Sequence, residues 1–250
     1  MLDGGAPQFE VAIVGLGPAG SMLANLLGRA GITVGVFERD EQIHALPRAV
    51  HFDGEIMRVF QSAGLAREME AVARPSSKGM HFVDENGETL MVRRGVTGPG
   101  PHFWPNNWYF HQPKLDAVLR SGLTRFAQVD VHLGHEVREV RDEGQFVSLS
   151  VEDRRSNSLR EVTARYVVGC DGAHSMVRST IGTQMEDLGL HQPWLVVDVV
   201  AHADSKRAGL LPDYTVQTCD PRRPMTRVHV GNDRHRWEIM LMPGDSPDAI

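Results

Sequence analysis

Apolar residues open the chain in short unbroken runs and alternate with polar ones further along. Val11-Ala12-Ile13-Val14 is continuous and closed by Gly15, as expected of a strand buried on both faces. Ser21 to Ala30 reads as a helix, and Gly31 stands where a helix C-cap belongs. Ile32–Phe37 is a second strand with Glu38 at its end, so a βαβ unit opens near residue 10. Over 53–74 the spacing of Ile56, Val59, Phe60 and Leu65 predicts helix, interrupted at Gly64. Met80–Val83 and Thr89–Val92 flank Asn86-Gly87, a hairpin signal. Residues 97–107 are rich in proline and glycine and predict a loop. Trp108–Phe110 is a short strand, Lys114 to Gly122 a helix with Leu115, Val118 and Leu119 on one face. Residues 129–133, 136–140, 146–151 and 162–168 are further strands. After Ile181-Gly182 the pattern becomes mostly β, with Trp194–Val200, Tyr214–Cys219, Thr226–Val230 and Trp237–Met242 as strands, the last two joined by Gly231-Asn232-Asp233.

Placed on this pattern, Gly15-x-Gly17-x-x-Gly20 falls between the first strand and the first helix. The first glycine allows the tight turn, the second lets a pyrophosphate approach the backbone, and the third lets helix and strand pack closely. The helix N-terminus then faces the anion. Glu38 lies close to the ~20-residue spacing expected of a ribose-binding acid. The bland alternative is a glycine-rich structural turn. FAD and NAD share the ADP moiety, so this motif does not choose between them. Three later features favour FAD: Pro47-Arg48-Ala49 beyond the acid, Gln112-Pro113 at a helix start, and Asp171-Gly172 at a strand end with Ser175 and Arg178 behind. Each has a plainer reading: Arg48 as a surface cation, Gln112 as a helix cap, Asp171-Gly172 as a turn. Ser175 is also a good N-cap for a helix starting at Met176.

Composition narrows the field by exclusion. A formal net charge of −6 and the lack of a long basic block give no sign of nucleic acid or an anionic membrane as partner. Two cysteines form neither a disulfide framework nor a metal spacing, and the twelve histidines form no HxxxH pair; no metal site is expected. No run approaches the ~18 apolar residues of a membrane span, and a cytoplasmic location is the default expectation.

The sequence resembles the flavin-dependent aromatic hydroxylases, single-component monooxygenases with the fold of 4-hydroxybenzoate hydroxylase. Within that family it is most similar to 3-(3-hydroxyphenyl)propionate hydroxylases. The likeness rests on the three nucleotide motifs and on PRAVHFDGEIMRVFQSAGL (47–65), HQPKLDAVL (111–119), CDGAHSMVR (170–178), WLVVDV (194–199), CDPRRP (219–224) and RWEIMLMPG (236–244). It implies an α/β fold: a Rossmann-like FAD-binding domain over 1–78 and 106–182, with an inserted, mostly β substrate domain over 79–105 and 183–250. It implies that Gly15, Gly17 and Gly20 cradle the FAD pyrophosphate and that Glu38 holds the adenosine ribose. Arg48 would lie along the cofactor and Gln112 reach its ribityl or diphosphate region. Asp171 would accept bonds from FAD and tie its strand to the glycine turn. The family's second flavin motif, an apolar strand ending Gly-Asp before a glycine-rich helix, is missing; Gly244-Asp245 follows Met242-Pro243 and is no substitute. A truncated chain lacking the C-terminal half of the family fold is therefore expected.

The implied reaction is hydroxylation of a phenolic aromatic acid, resembling a hydroxyphenylpropanoate, by NADH or NADPH and O2 through a flavin C4a-hydroperoxide. The alternatives are an FAD-binding fragment without hydroxylase activity, or another flavoenzyme of the same fold such as a halogenase or reductase. A homodimer is one expected assembly. His51 and Asp53 are the candidates for the pocket wall or proton path, with Asp53 reading equally as a helix N-cap. Arg223 and Arg236 read as surface charges or as partners of a substrate carboxylate. Trp104, Trp108 and Tyr109 read as an aromatic pocket or as packing under the loop.

Overall fold

The computed structural model describes residues 6–95, 98–201, 211–231 and 233–246. Thr97 of the proline-rich loop and Asn232 of the expected turn lie outside the described residues. The chain forms two compact units: Met1–Leu46, Phe60–Glu68 and Pro113–Glu186 in the first, Pro47–Val59, Met69–Gln112 and Asp187–Ile250 in the second.

The first unit is built on β1 (Phe9–Val14), α1 (Pro18–Arg29) and β2 (Val34–Glu38), the βαβ unit predicted from the pattern. The helix starts three residues earlier than the apolar spacing suggests, because Pro18 occupies its first turn, where a missing N–H costs nothing. Unit 1 also holds most of α4 (Gln112–Leu123), β8 (Val129–Leu133), β9 (His135–Asp142), β10 (Val147–Asp153), β11 (Ser158–Gly169) and α5 (Met176–Thr180). Its six-stranded sheet has the order β8-β2-β1-β11-β10-β9. The first four strands are parallel; β10 runs antiparallel to β11, and β9 antiparallel to β10.

Two apolar layers account for the unbroken hydrophobic runs. Ala12, Val14 and Phe37 pack with Val137, Leu149, Val151 and Val162 on one side. Ile13, Val34 and Val36 pack with Leu16, Ala24 and Leu123 on the other. Central parallel strands covered on both faces require apolar residues at every position. The buried Asn25 links α1 to α4, its Nδ2 donating to the Ser21 and Leu119 carbonyls and its Oδ1 accepting from Arg125.

The chain returns to β1 from opposite sides: β2 flanks it on one edge and β11 on the other. Such a switch in strand order opens a crevice at the carboxyl ends of the strands, the place where open α/β sheets bind ligands. Gly15 and Cys170-Asp171 lie at those two strand ends.

The second unit holds the rest. Its larger sheet joins β12 (Trp194–Val200), β15 (Arg234–Met240), β14 (Met225–His229), β13 (Thr215–Thr218), β5 (Met80–Val83) and β6 (Thr89–Arg93), in that order. Only the β13–β5 contact is parallel. The β5–β6 hairpin turns as expected: the Asp84 carboxylate accepts from the Asn86 and Glu88 N–H groups, and Gly87 takes φ +85°. A smaller sheet pairs β3 (His51–Phe52), β7 (Trp108–Phe110) and β4 (Ala73–Pro75). The helical stretch expected over 53–74 divides into α2 (Gly54–Ser62) and α3 (Ala66–Glu70), with Gly64 at φ +71° between them, and its last residues enter β4 instead.

Candidate functional site

In the first unit, the turn after β1 is set by contacts that only glycine permits. Gly15 has φ +98°, and a Cβ there would stand 2.4 Å from the Cys170 carbonyl oxygen. At Gly20 a Cβ would stand 2.0 Å from the Gly15 carbonyl oxygen. Gly17 is different: a Cβ there meets no protein atom within 4 Å. Its lack of a side chain serves no packing within the protein and leaves the backbone open to an incoming group. Gly17 is also the N-cap of α1 and supplies no side-chain cap. The first N–H groups of a helix have no intrahelical acceptor, and together with the helix dipole they suit an anion. The turn fits a pyrophosphate on these grounds.

Glu38, at the end of β2, is tied into the same turn. Its Oε2 accepts from the Leu16 N–H at 2.7 Å and its Oε1 from the Asp40 N–H at 2.9 Å. Backbone bonds complete the frame, Gly15 N–H to the Phe37 carbonyl and Cys170 N–H to the Val14 carbonyl. A carboxylate offers about four lone-pair sites, so each oxygen retains capacity for a ribose hydroxyl. The Gly15–Gly20 turn, Glu38 and the Cys170-Asp171 segment are thus brought together.

The Asp171 side chain is directed elsewhere. Its Oδ1 accepts from the Ser175 hydroxyl at 2.5 Å, and its Oδ2 from the N–H groups of Met176 and Val177 at 2.7 and 3.2 Å. Ser175 in turn accepts from the Arg178 N–H, the N-cap expected from the sequence. Asp171 and Ser175 therefore share the start of α5, while backbone at Cys170 makes the contact with the glycine turn. Burial, and next the Asp171 carboxylate, push the Cys170 thiol up from its ordinary value, so it stays protonated near neutral pH.

In the second unit, Arg48 is exposed while its backbone is held on both sides. Gln112 Oε1 accepts from the N–H groups of Arg48 and Ala49 at 2.8 and 2.9 Å. Arg236 donates to the carbonyls of Arg48 and Pro47 at 3.1 and 2.5 Å. Arg236 corrects an expectation: it is 1% exposed, not a surface charge. Its guanidinium is matched by the Asp198 carboxylate through two bonds, at 2.9 and 2.8 Å. A signal for this pair existed in the sequence. Asp198 is the single charge in the apolar strand Trp194–Val200, and it lies opposite Arg236 in the β12–β15 register. Arg223 matches its surface reading, paired with the Asp245 carboxylate, which it holds down to about 2.

His51 lies exposed on β3, with Nε2 3.2 Å from Asn107 Oδ1 and its ring edge-on to Tyr109. Asp53 caps α2: its Oδ1 accepts from the Ile56 N–H at 3.0 Å. Trp108 and Tyr109 are buried, and Trp108 stacks on Phe52, which is core packing. A cationic cluster that sequence reasoning missed lies nearby in the same unit. Arg74 contacts His229 Nδ1 at 2.9 Å, His229 stacks on His235, and Arg227 reaches His235 Nδ1 at 3.5 Å. Burial, reinforced by these cations, lowers both histidines from their ordinary value. Among the described residues no group of three or more His, Cys, Asp or Glu could hold a metal, and no helix is long and apolar enough to cross a membrane.

Comparison with known proteins agrees with this geometry. Residues 8–246 match the family model described as FAD binding domain. The chain is 36% identical over 240 residues to a probable NADH-specific resorcinol 4-hydroxylase of Rhodococcus jostii (strain RHA1), covering 95% of this chain and 44% of that protein. It is 34% identical over 244 residues to a 3-(3-hydroxy-phenyl)propionate/3-hydroxycinnamic acid hydroxylase of Paraburkholderia xenovorans (strain LB400), covering 96% of this chain and 37% of that protein. The chain thus spans less than half the length of these relatives. Its fold is also that of the flavin-dependent monooxygenase PieE, solved with FAD and substrate, with a TM-score of 0.82 at 22% identity over 96% of this chain and 44% of that one.

Proposed function

Because the chain belongs to the FAD binding domain family, we propose that the protein is an FAD-dependent monooxygenase that hydroxylates a phenolic aromatic acid using NADH or NADPH and O2. The observation that carries this reading is the glycine turn, open at Gly17 and braced by Glu38, at the switch in strand order. The activities of the two relatives, on resorcinol and on hydroxyphenylpropionate, support a phenolic substrate, and the first favours NADH.

When bound, FAD supplies hydride acceptance and oxygen activation, chemistry that side chains lack. The work of this chain is binding and orientation. The backbone at Gly15, Gly17 and Gly20 holds the pyrophosphate, and the remaining lone pairs of Glu38 take the ribose hydroxyls. Arg48 adds a positive charge toward the cofactor, Gln112 serves its ribityl or diphosphate region, and Asp171 fixes the segment facing the glycine turn. Residues 1–78 and 106–182 are assigned to FAD and 79–105 and 183–250 to the substrate. Deprotonating the phenol makes its ring a better nucleophile. His51 is the stronger candidate for that proton path, since Asp53 is engaged as a helix cap. A cytoplasmic location and a homodimer belong to the same reading.

The test uses the full-length protein purified with FAD. NADH and NADPH oxidation is followed with 3-(3-hydroxyphenyl)propionate and with resorcinol, and the product is weighed for one added oxygen atom. Expected are oxidation stimulated by one of these phenols and a hydroxylated product. Oxidation that yields only hydrogen peroxide with every phenol tried, or protein that does not retain FAD, overturns the reading.

A further inference from the structure

The structure assigns Gln112 and the Arg236–Asp198 pair a joint role as positioning residues. Together they fix the backbone of Pro47-Arg48-Ala49 so that the Arg48 side chain departs from a fixed point of the chain. The inference rests on the reading that Arg48 serves the cofactor, and goes beyond it in naming what holds Arg48.

The geometry begins with register. In the antiparallel β3–β7 pair, His51 lies opposite Tyr109 and Phe52 opposite Trp108. The Phe110 N–H still reaches the Val50 carbonyl, one step beyond. Continuing that register puts Gln112 opposite Arg48, but Gln112 opens α4 and its backbone has left the strand. Its side-chain oxygen takes the place of a ladder carbonyl, accepting from Arg48 and Ala49 together. The carbonyls of the same segment are met by the buried Arg236.

Pro47 has no N–H, so three side-chain or ring constraints close the segment: the proline ring, the Gln112 oxygen and the Arg236 fork. The planar guanidinium makes two bonds to Asp198 and one to each carbonyl. A lysine ammonium is a point donor and cannot reproduce that pattern. The pair is half-buried, Arg236 being enclosed while Asp198 lies on an exposed strand position, so its contribution here is the fixed direction of the guanidinium and not net stability. The Arg48 guanidinium makes no hydrogen bond or ion pair among the described residues, so the clamp holds the backbone and leaves the charge available.

The experiment measures two things on the full-length protein: FAD affinity by flavin fluorescence, and amide hydrogen exchange at Arg48 and Ala49. Gln112→Leu removes the acceptor; Gln112→Glu keeps it. Expected is about tenfold faster exchange at both amides in Gln112→Leu, and retained protection in Gln112→Glu. Arg236→Lys is the milder probe of the other side and should speed the same exchange. FAD affinity should fall about tenfold in Gln112→Leu, and the Gln112→Leu/Arg48→Met double variant should bind no more weakly than Arg48→Met alone. Unchanged exchange in both Gln112→Leu and Arg236→Lys, or strictly additive losses of affinity, overturns the positioning role. If Arg48→Met alone leaves FAD affinity unchanged while exchange rises in Gln112→Leu, the clamp stands and the reading of Arg48 fails.

Discussion

Gly15 and Gly17 sit two residues apart in one motif, yet their surroundings differ in kind. Gly15 is demanded by the protein itself, through φ +98° and the Cys170 carbonyl, whereas nothing in the protein crowds Gly17. Gly15→Ala is therefore expected to lower folding stability by roughly 1–3 kcal/mol, the range for a non-glycine residue in a sparsely populated backbone region. Gly17→Ala should leave the urea midpoint near that of the parent and weaken FAD binding. Denaturation of the two variants, alongside FAD titration, separates these outcomes; equal loss of stability in both would show that Gly17 too is structural. The motif already divides the glycines between turn and ligand, and the neighbouring atoms add the physical cause: a carbonyl against Gly15 and open space at Gly17.

Helix starts decide several assignments at the scale of elements. Asp53 caps α2 and Asp171 with Ser175 caps α5, so two acids that a sequence offers for chemistry are first of all acceptors for orphaned N–H groups. Asp53→Ala should cost about 1 kcal/mol, while Asp53→Asn should cost little, because asparagine caps as well as aspartate. The asparagine variant thus isolates chemistry. If its turnover and pH profile match the parent, Asp53 has no part in the proton path; a lost acidic limb with normal stability would give it one. Gln112 shows the same competition in reverse. It stands at the start of α4, where a cap is the obvious reading, and the register of β3 against β7 hands it the N–H groups of the segment before β3 instead. That choice depends on a pairing between residues far apart in sequence.

Taken over the molecule, acid should be destabilising, through the half-buried His132 of the first unit, which burial lowers, and through a pair of histidines in the second. His229 and His235 are stacked among Arg74 and Arg227, and burial lowers both from the ordinary histidine value of about 6.5. The unfolded chain then binds more protons than the folded one below that value. Stability from these groups is full above about pH 6.5 and is lost as pH falls through and below it. Urea midpoints measured between pH 8 and pH 5 should fall toward acid, and His235→Gln should flatten that slope; an unchanged slope would place the effect elsewhere. The βαβ unit, the glycine turn, Glu38, the β5–β6 hairpin and Trp194–Val200 were legible in the sequence, because local periodicity and turn chemistry dictate them. So was the family, since its motifs are short and contiguous. The cationic cluster, the burial of Arg236 against Asp198 and the hold of Gln112 on Arg48 were not. Each joins residues distant along the chain, and a charged side chain has the same sequence signature whether water or a buried partner solvates it. Local pattern therefore determined the elements and the kind of cofactor. The pairing of strands decided which polar groups are left to bind and which are already satisfied.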